Sequence, residues 1–380
     1  MSERFDVIVV GGGAMGTGAA RHLAMRGRSV VLLERFTFGH ANGSSGGPTR
    51  IYRVMYQTAD YVRLAQQARA AWDELQEAAG EPLIRVTGGL DVGPEAEARA
   101  SVLEAEGVPI ERLDTHEVTE RWPSLALPPG LAIVFQPDGG VLRAKQTVRA
   151  QARLAAAAGA DVREATRADS IVPDVDGVEV HTDRGDVLRA PVAVIAVGPW
   201  APSVLAAAGI QLPLRPTLEQ ATYFEQVRPS PLPTMIDWRP EHPNPAYLVP
   251  DPFAPSGADT GQLKVGLHMS GPTVDPDRPL PELDLERIDR ARAYVAATLR
   301  DVNPTGRTDA CLYTIAPDED LILDRVGPLV VASPCSGQGF KFVPLFARAI
   351  ANLATGDPPP FDISPYRVDR PALRAAPAPR

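Results

Sequence analysis

The glycine run at residues 11–16 constrains this chain more than any other feature. Residues 5–10 (FDVIVV) are a short β-branched stretch that reads as a buried strand, and Gly11-Gly-Gly13-Ala14-Met15-Gly16 follows directly. Residues 14–26 carry the Ala, Leu and Met spacing of a helix with Gly27 as its stop. Ser29 to Leu33 is a second buried strand ending at Glu34. Strand, Gly-x-Gly-x-x-Gly turn, helix, strand and acidic residue within about 30 residues is the dinucleotide fingerprint in the context it requires. Gly11 permits the tight turn, Gly13 lets the backbone approach a pyrophosphate, and Gly16 lets helix and strand pack closely. The helix N-terminus offers unpaired N–H groups and a positive dipole end to phosphates. Glu34 is placed to accept hydrogen bonds from an adenosine ribose. The bland alternative is a glycine-rich turn in an ordinary β-α-β unit. The pattern does not by itself separate NAD from FAD.

Composition narrows what surrounds this unit. With 380 residues the chain has room for two or three domains, and 44% hydrophobic with 22% charged content excludes a disordered chain. A net charge of −9 without a Lys/Arg run gives no footprint for nucleic acid or an anionic membrane. No stretch of about 20 apolar residues suggests a transmembrane helix, and the N-terminus has no secretory pattern. Two cysteines, Cys311 and Cys335, cannot staple a chain of this size, so a reducing cytoplasm is expected. No heptad or exposed apolar stripe stands out, which leaves the oligomeric state open, with a monomer favoured. Proline is the outlier, with 39 residues against a usual share of about 5%.

Further along, residues 36–50 read as a Gly/Ser-rich loop, 61–79 as a helix, and 84–92 and 131–136 as strands. Residues 143–158 read as a helix. Residues 178–181 and 187–188 form a hairpin, and 192–197 is a continuous apolar strand ending in Gly198-Pro-Trp200. The proline-rich stretch 212–280 suits an antiparallel sheet with long loops better than more β-α-β units. A helix is expected at 284–300, a strand at 329–333 and a helix at 343–354. The tail, 357–380, is dense in Pro, Ala and Arg and reads as loosely packed.

Four later segments carry a resemblance. They are Gly43-Ser-Ser-Gly-Gly-Pro-Thr-Arg-Ile-Tyr-Arg53, Leu263-Lys-Val-Gly-Leu-His268, Cys311-Leu-Tyr-Thr-Ile-Ala-Pro-Asp-Glu319 and Ser336-Gly-Gln-Gly-Phe-Lys-Phe342. In this order they resemble the blocks of the monomeric sarcosine oxidase and N-methyl amino acid oxidase family, over nearly the whole chain to about residue 355. The resemblance implies an α/β plus α+β fold, a Rossmann-like FAD-binding domain with an interleaved antiparallel-sheet substrate domain. The FAD-binding parts are then 1–85, 146–212 and 311–356, the substrate parts 86–145 and 213–310, and 357–380 the tail.

The same resemblance implies roles. Cys311 matches the cysteine that carries FAD through a thioether to the 8α-methyl, whereas a lone cysteine would otherwise read as a small buried hydrophobe. Lys264 matches the lysine that assists oxygen reduction, where a fixed cation stabilises developing superoxide. Arg53 and Lys341 match the pair that binds the substrate carboxylate, a fork and a point charge. Arg50 and Thr49 match positions beside the flavin ring, and His268 and Tyr313 match positions lining the active site. Lys264, Arg50 and His268 form the expected catalytic set. Expected cofactor contacts also include Gly11, Gly13, Ala14, Met15, Gly16, Glu34, Arg35, Ser44, Ser45, Gly198, Trp200, Gly337, Gly339, Phe340 and Lys341. No metal is expected, and Cys335, outside the motif, reads as structural.

Departures bear on the substrate. Gln338 stands where histidine is commoner, and Leu248, after Tyr247, falls where a substrate-facing tyrosine is expected; both are counted as substrate-binding. The Pro-rich segment 250–262 is also unlike the family's. A less polar wall points to a substrate larger or more apolar than sarcosine. The expected activity is oxidation of an N-alkyl or cyclic secondary amino acid, with O₂ as acceptor and hydrogen peroxide as product. The rivals are a deglycating oxidase of fructosyl amino acids, a same-fold dehydrogenase using a carrier or quinone, and a flavin-binding protein without turnover.

Overall fold

A computed structural model describes residues 2–253 and 260–374. Its central sheet has six strands in the order 161–163, 30–33, 7–10, 192–195, 329–332 and 323–326, parallel except for the last pair. The four inner strands are short continuous apolar runs because both faces are covered. Val7, Val9, Val30, Leu32, Val192 and Val194 face one way, into a core shared with the helices Ala14–Met25, Ala59–Ala79, Ala144–Ala157 and Val343–Thr355. Ile8, Val10, Val31, Leu33, Ala193 and Ile195 face the other way, into a second core under the small sheet formed by 3–4, 187–190, 177–182 and 168–174.

A second, eight-stranded sheet forms a roof. Its order is 302–315, 215–226, 262–267, 246–250, 234–237, 89–92, 133–136 and 111–113. It is antiparallel except where Thr234–Asp237 runs parallel to Gly89–Val92. One face, with Leu90, Met235, Leu248, Val265 and Phe224, packs on Ala291, Tyr294 and Val295 of the helix Leu285–Thr298. The opposite face looks toward the six-stranded sheet's domain. The expected pairing of a nucleotide-binding domain with an interleaved roof is thus present.

Several expectations need correction. Residues 84–92 are not one strand: the chain turns at Gly88, with φ of +74° and a position where a Cβ would lie 2.2 Å from the Phe135 ring. Ile84–Val86 therefore joins a small sheet with Gly140–Arg143, while Gly89–Val92 joins the roof. The Gly/Ser-rich loop ends earlier than expected, because Thr49–Tyr52 pairs with Gly140–Arg143. The helices Pro94–Ala105 and Thr115–Arg121 had not been anticipated; the second carries a capping box between Asp114 and Glu117. The expected boundary at 310/311 falls inside the 14-residue strand Val302–Ile315, which pairs without a break there along Arg215–Gln226.

The tail is not loosely packed over residues 357–374. Tyr366 and Leu373 are buried, and Arg370 is paired with Asp318 at 2.7 Å and bonded to the Leu321 carbonyl at 2.8 Å. Residues 375–380 of the tail, and 254–259 of the Pro-rich segment, lie outside the described residues. No helix among the described residues is long and apolar enough to cross a membrane.

Candidate active site

A cleft of about 1150 Å³ runs between the nucleotide domain and the roof. That exceeds the roughly 300–1,000 Å³ of a usual small-ligand pocket, leaving room for a dinucleotide and a substrate together. Its floor is the fingerprint. Gly11 has φ of +103°, and a Cβ there would sit 2.4 Å from the Ala196 carbonyl oxygen; one on Gly16 would sit 1.8 Å from the Gly11 oxygen. Gly13, the N-cap of the helix that follows, has no side chain to cap it; Ser45 Oγ takes the Ala14 N–H at 3.1 Å and the later first-turn N–H groups stay open among the described residues. An uncapped helix start is an anion site.

At the outer end, the buried Glu34 carboxylate accepts from the backbone N–H groups of Gly12 and Phe36, each at 2.8 Å. A carboxylate has about four acceptor sites, so it keeps capacity for a ribose hydroxyl. Arg35 lies over the adjoining rings of Phe36 and Trp200, each centroid 4.9 Å away, and pairs with Asp277 of the roof at 2.9 Å. Trp200 Nε1–H donates to the same carboxylate at 3.0 Å. Ala14, Met15, Ser44, Gly198, Trp200, Gly337, Gly339 and Phe340 also border the cleft. A cradle that no Cβ could enter, an open helix start and a ribose-facing carboxylate fit FAD.

The inner end is set by the roof's alternation. Strand residues on the face opposite the Leu90–Met235–Leu248 core include Ile236, Tyr247, Lys264, Cys311 and Tyr313, and all five line the cleft. Leu248 is the correction: it is wholly buried in the roof core, and its neighbour Tyr247 is the tyrosine that faces the cleft. A one-residue shift on a strand reverses the face. The argument for a less polar wall falls with it. Gly266 makes room for Tyr247, since a Cβ there would meet its phenolic oxygen at 2.3 Å. Gly337, with φ of +70°, does the same for Tyr313 and His268, whose ring atoms lie 2.6 and 2.8 Å from a notional Cβ.

Charge at this end is mostly positive. Lys264 is buried with its Nζ 3.4 Å from the Thr49 carbonyl, and burial followed by Arg50 brings its ammonium down to about 7. Lys341, also buried, donates to the Gln338 carbonyl at 2.7 Å; burial and then Arg53 hold it well below the ordinary lysine range. Burial, then Arg53 and Lys341, brings His268 down to about 4, so its imidazole is neutral near pH 7. Arg53 stacks 4.8 Å over Tyr56 and 5.7 Å from the Trp238 ring. Cys311 is held up by burial, against the opposing fields of Lys264 and Arg50.

Three further placements differ from expectation. Thr49 does not line the cleft; its side chain is buried and its carbonyl serves Lys264 and, at 2.8 Å, Arg50. Arg50 borders the cleft but also donates to the carbonyls of Ser44 and Gly46 at 2.9 and 2.6 Å, so it staples its own loop. Cys335, expected to be structural, lines the cleft, its Sγ accepting from the Thr314 N–H at 3.3 Å. Sequence reasoning missed Tyr56, Arg99 and Trp238, which line the inner cleft without any motif to mark them. Among the described residues no cluster of His, Cys, Asp or Glu could hold a metal.

Residues 6–353 match the family model described as FAD dependent oxidoreductase. Monomeric sarcosine oxidase of Bacillus sp. (strain B-0618) is 32% identical over 98% of both chains. N-methyl-L-tryptophan oxidase of Salmonella newport (strain SL254) is 29% identical over 97% of this chain and 99% of its own. The open form of NikD, an unusual amino acid oxidase essential for nikkomycin biosynthesis, superposes with a TM-score of 0.88 at 31% identity, over 96% of this chain and 98% of that one.

Proposed function

The chain belongs to the FAD dependent oxidoreductase family, and from that premise we propose that it is a flavoprotein oxidase of an N-alkyl or cyclic secondary amino acid. One observation carries the reading: the half-buried guanidinium of Arg53 and the buried Lys341 come together beside the Tyr56 ring at the inner end of a cleft whose roof holds Lys264 and Cys311 and whose outer end holds the fingerprint. The relatives' substrates, sarcosine and N-methyl-L-tryptophan by their names, are secondary amino acids.

The residues divide the work. Arg53 and Lys341 receive the substrate carboxylate, the fork giving orientation and the ammonium a point charge. Fixing the carboxylate fixes the α-carbon, and such positioning supplies much of the rate. The same two cations lower the pKa of the substrate ammonium, so the amine is held in the neutral form that oxidation needs. Neutral His268 and the phenols of Tyr247 and Tyr313 wall this space without adding charge. Gly11, Gly13, Ser45, Glu34 and the helix start hold FAD, with Cys311 as its covalent tether through a thioether. FAD supplies the hydride acceptor, and O₂ takes the electron pair onward to hydrogen peroxide. Lys264, in its protonated form, is the cation that stabilises the anion developing on oxygen.

An anaerobic screen of flavin bleaching over N-methyl, cyclic and glycated amino acids tests the reading. Bleaching by an N-methyl or cyclic amino acid, with peroxide formed on admitting air, is the expected result. Bleaching by glycated amino acids alone would move the assignment to deglycation, and turnover only with an artificial acceptor would make it a dehydrogenase. Acid precipitation tests the tether: the yellow colour should stay in the pellet, and colour in the supernatant excludes it.

A further inference from the structure

Behind Arg53, and outside the cleft lining, lies one buried carboxylate that the proposed chemistry does not use. Asp91, 3% exposed, sits on the roof strand Gly89–Val92, on the face opposite Leu90 and Val92. Its Oδ2 accepts from Trp238 Nε1–H at 2.8 Å and lies 3.7 Å from Arg53 Nη1. That Nη1 is buried and has no hydrogen-bond partner among the described residues. Trp238 is flanked by Arg53, at 5.7 Å, and by Arg99, at 3.8 Å from its ring. Arg99 pairs with Glu95 at 2.7 Å and also feels Asp91, whereas Asp91 is the carboxylate paired with Arg53.

The tryptophan is itself fixed. Its backbone N–H donates to the Val92 carbonyl at 2.7 Å, and Gly93 leaves its Cβ space, 2.9 Å from the Trp238 carbonyl carbon, unfilled. Thus a rigid indole holds a carboxylate against a guanidinium that has an unfilled donor.

We propose that Asp91 is a positioning residue: it holds the Arg53 guanidinium in place before substrate arrives, and it competes with the incoming carboxylate for that guanidinium. The proposal rests on Arg53 as the carboxylate anchor. A second anion arriving at Arg53 is repelled by the first, in a site where water does little screening. Asp91 therefore weakens carboxylate binding without touching the ligand, and favours release of a carboxylate product. Burial raises the Asp91 carboxyl, opposed by Arg53, the Trp238 N–H and Arg99 and assisted by Glu95. Tyr56 is the further titratable group in its field. Repulsion fades as pH falls and Asp91 takes up a proton.

Acetate, titrated into the flavin-loaded protein and read by perturbation of the flavin absorption band, is the probe. Asp91→Asn keeps an acceptor for the indole and removes the charge, and should tighten acetate by about tenfold. The gap from wild type should narrow as pH is lowered. With the amino acid selected by the bleaching screen, the fall in KM should exceed any change in kcat; a merely structural role would not split them. Trp238→Phe withdraws the N–H that supports the Asp91 anion while keeping an aromatic ring beside Arg53 and Arg99, and should tighten acetate in the same direction by less. Unchanged or weaker acetate binding in both variants overturns the proposal. Arg53→Met separates the two readings: if it binds acetate as wild type does, the anchor assignment itself fails. If it loses acetate while Asp91→Asn is unchanged, only the role of Asp91 fails.

Discussion

Replacing Lys264 by methionine should stabilise the protein, although the lysine is central to the proposed oxygen chemistry. It is 6% exposed, and among the described residues its side chain makes one hydrogen bond, a long one of 3.4 Å to the Thr49 carbonyl. Burial, with Arg50 second, takes the ammonium from its ordinary 10.5 down to about 7. At about 1.4 kcal/mol per tenfold change, holding the charged form in place costs about 5 kcal/mol below pH 7 and about 4 kcal/mol at pH 7. The sign follows from proton counts. Between pH 7 and 10.5 the unfolded chain binds the proton that the folded one has given up, so wild-type stability gains with rising pH over that interval. A neutral cofactor ring in the cleft withdraws the lysine further from water and leaves the sign unchanged. Methionine has nearly the same length and no charge, so it removes the penalty while filling the space. For 380 residues, at about 2.1 cal/mol/K of unfolding entropy each, 4 kcal/mol corresponds to a rise in Tm of about 5 °C. Melting both proteins at pH 7 and at pH 10 checks this. The variant should melt higher at pH 7, and the gap should largely close by pH 10. No gap at pH 7, or an equal gap at both, would refute the reasoning.

The same Lys264→Met protein should be reduced by substrate anaerobically at near the normal rate but reoxidised by O₂ far more slowly, as stopped-flow absorbance would show; equal slowing of both steps would contradict the assigned role. In the wild type, reoxidation should slow as pH rises through about 7, because the protonated form of Lys264 is the one that stabilises an anion. Gly266→Ala puts a methyl 2.3 Å from the Tyr247 phenolic oxygen, so KM should rise and stability should fall by about 1–3 kcal/mol, read by thermal melting. Arg53→Met should raise KM by about 10- to 100-fold, the weight of a charge-assisted hydrogen bond, with a smaller effect on kcat. Arg370→Ala unties the tail from Asp318 and the Leu321 carbonyl, and should cost about 1 kcal/mol of stability without altering the flavin spectrum.

Much of the nucleotide domain was legible because its signals are local. Val7–Val10, the glycine turn, Ala14–Met25 and Val30–Leu33 are contiguous, and each residue's preference agrees with its neighbours'. The four resembling blocks likewise pointed to Lys264, Cys311, Arg53 and Lys341, and the structure gathers these four around one cleft from distant parts of the chain. Other features had no local signal. The break at Gly88 exists because Phe135, on another strand, occupies the space beside it. The packing of the tail depends on Asp318 and Tyr61, neither near it in sequence, and on Phe346 of the helix before it, packed against Tyr366.

The sequence by itself determined a dinucleotide turn and two kinds of sheet, because period and turn chemistry are written along the chain, while the site residues were implied by the resemblance of its later blocks. Only the tertiary structure decided which residues face the cleft. Tyr247 and not Leu248 looks into it, and Asp91 comes to stand behind Arg53, because register between strands far apart in sequence sets the face each side chain takes.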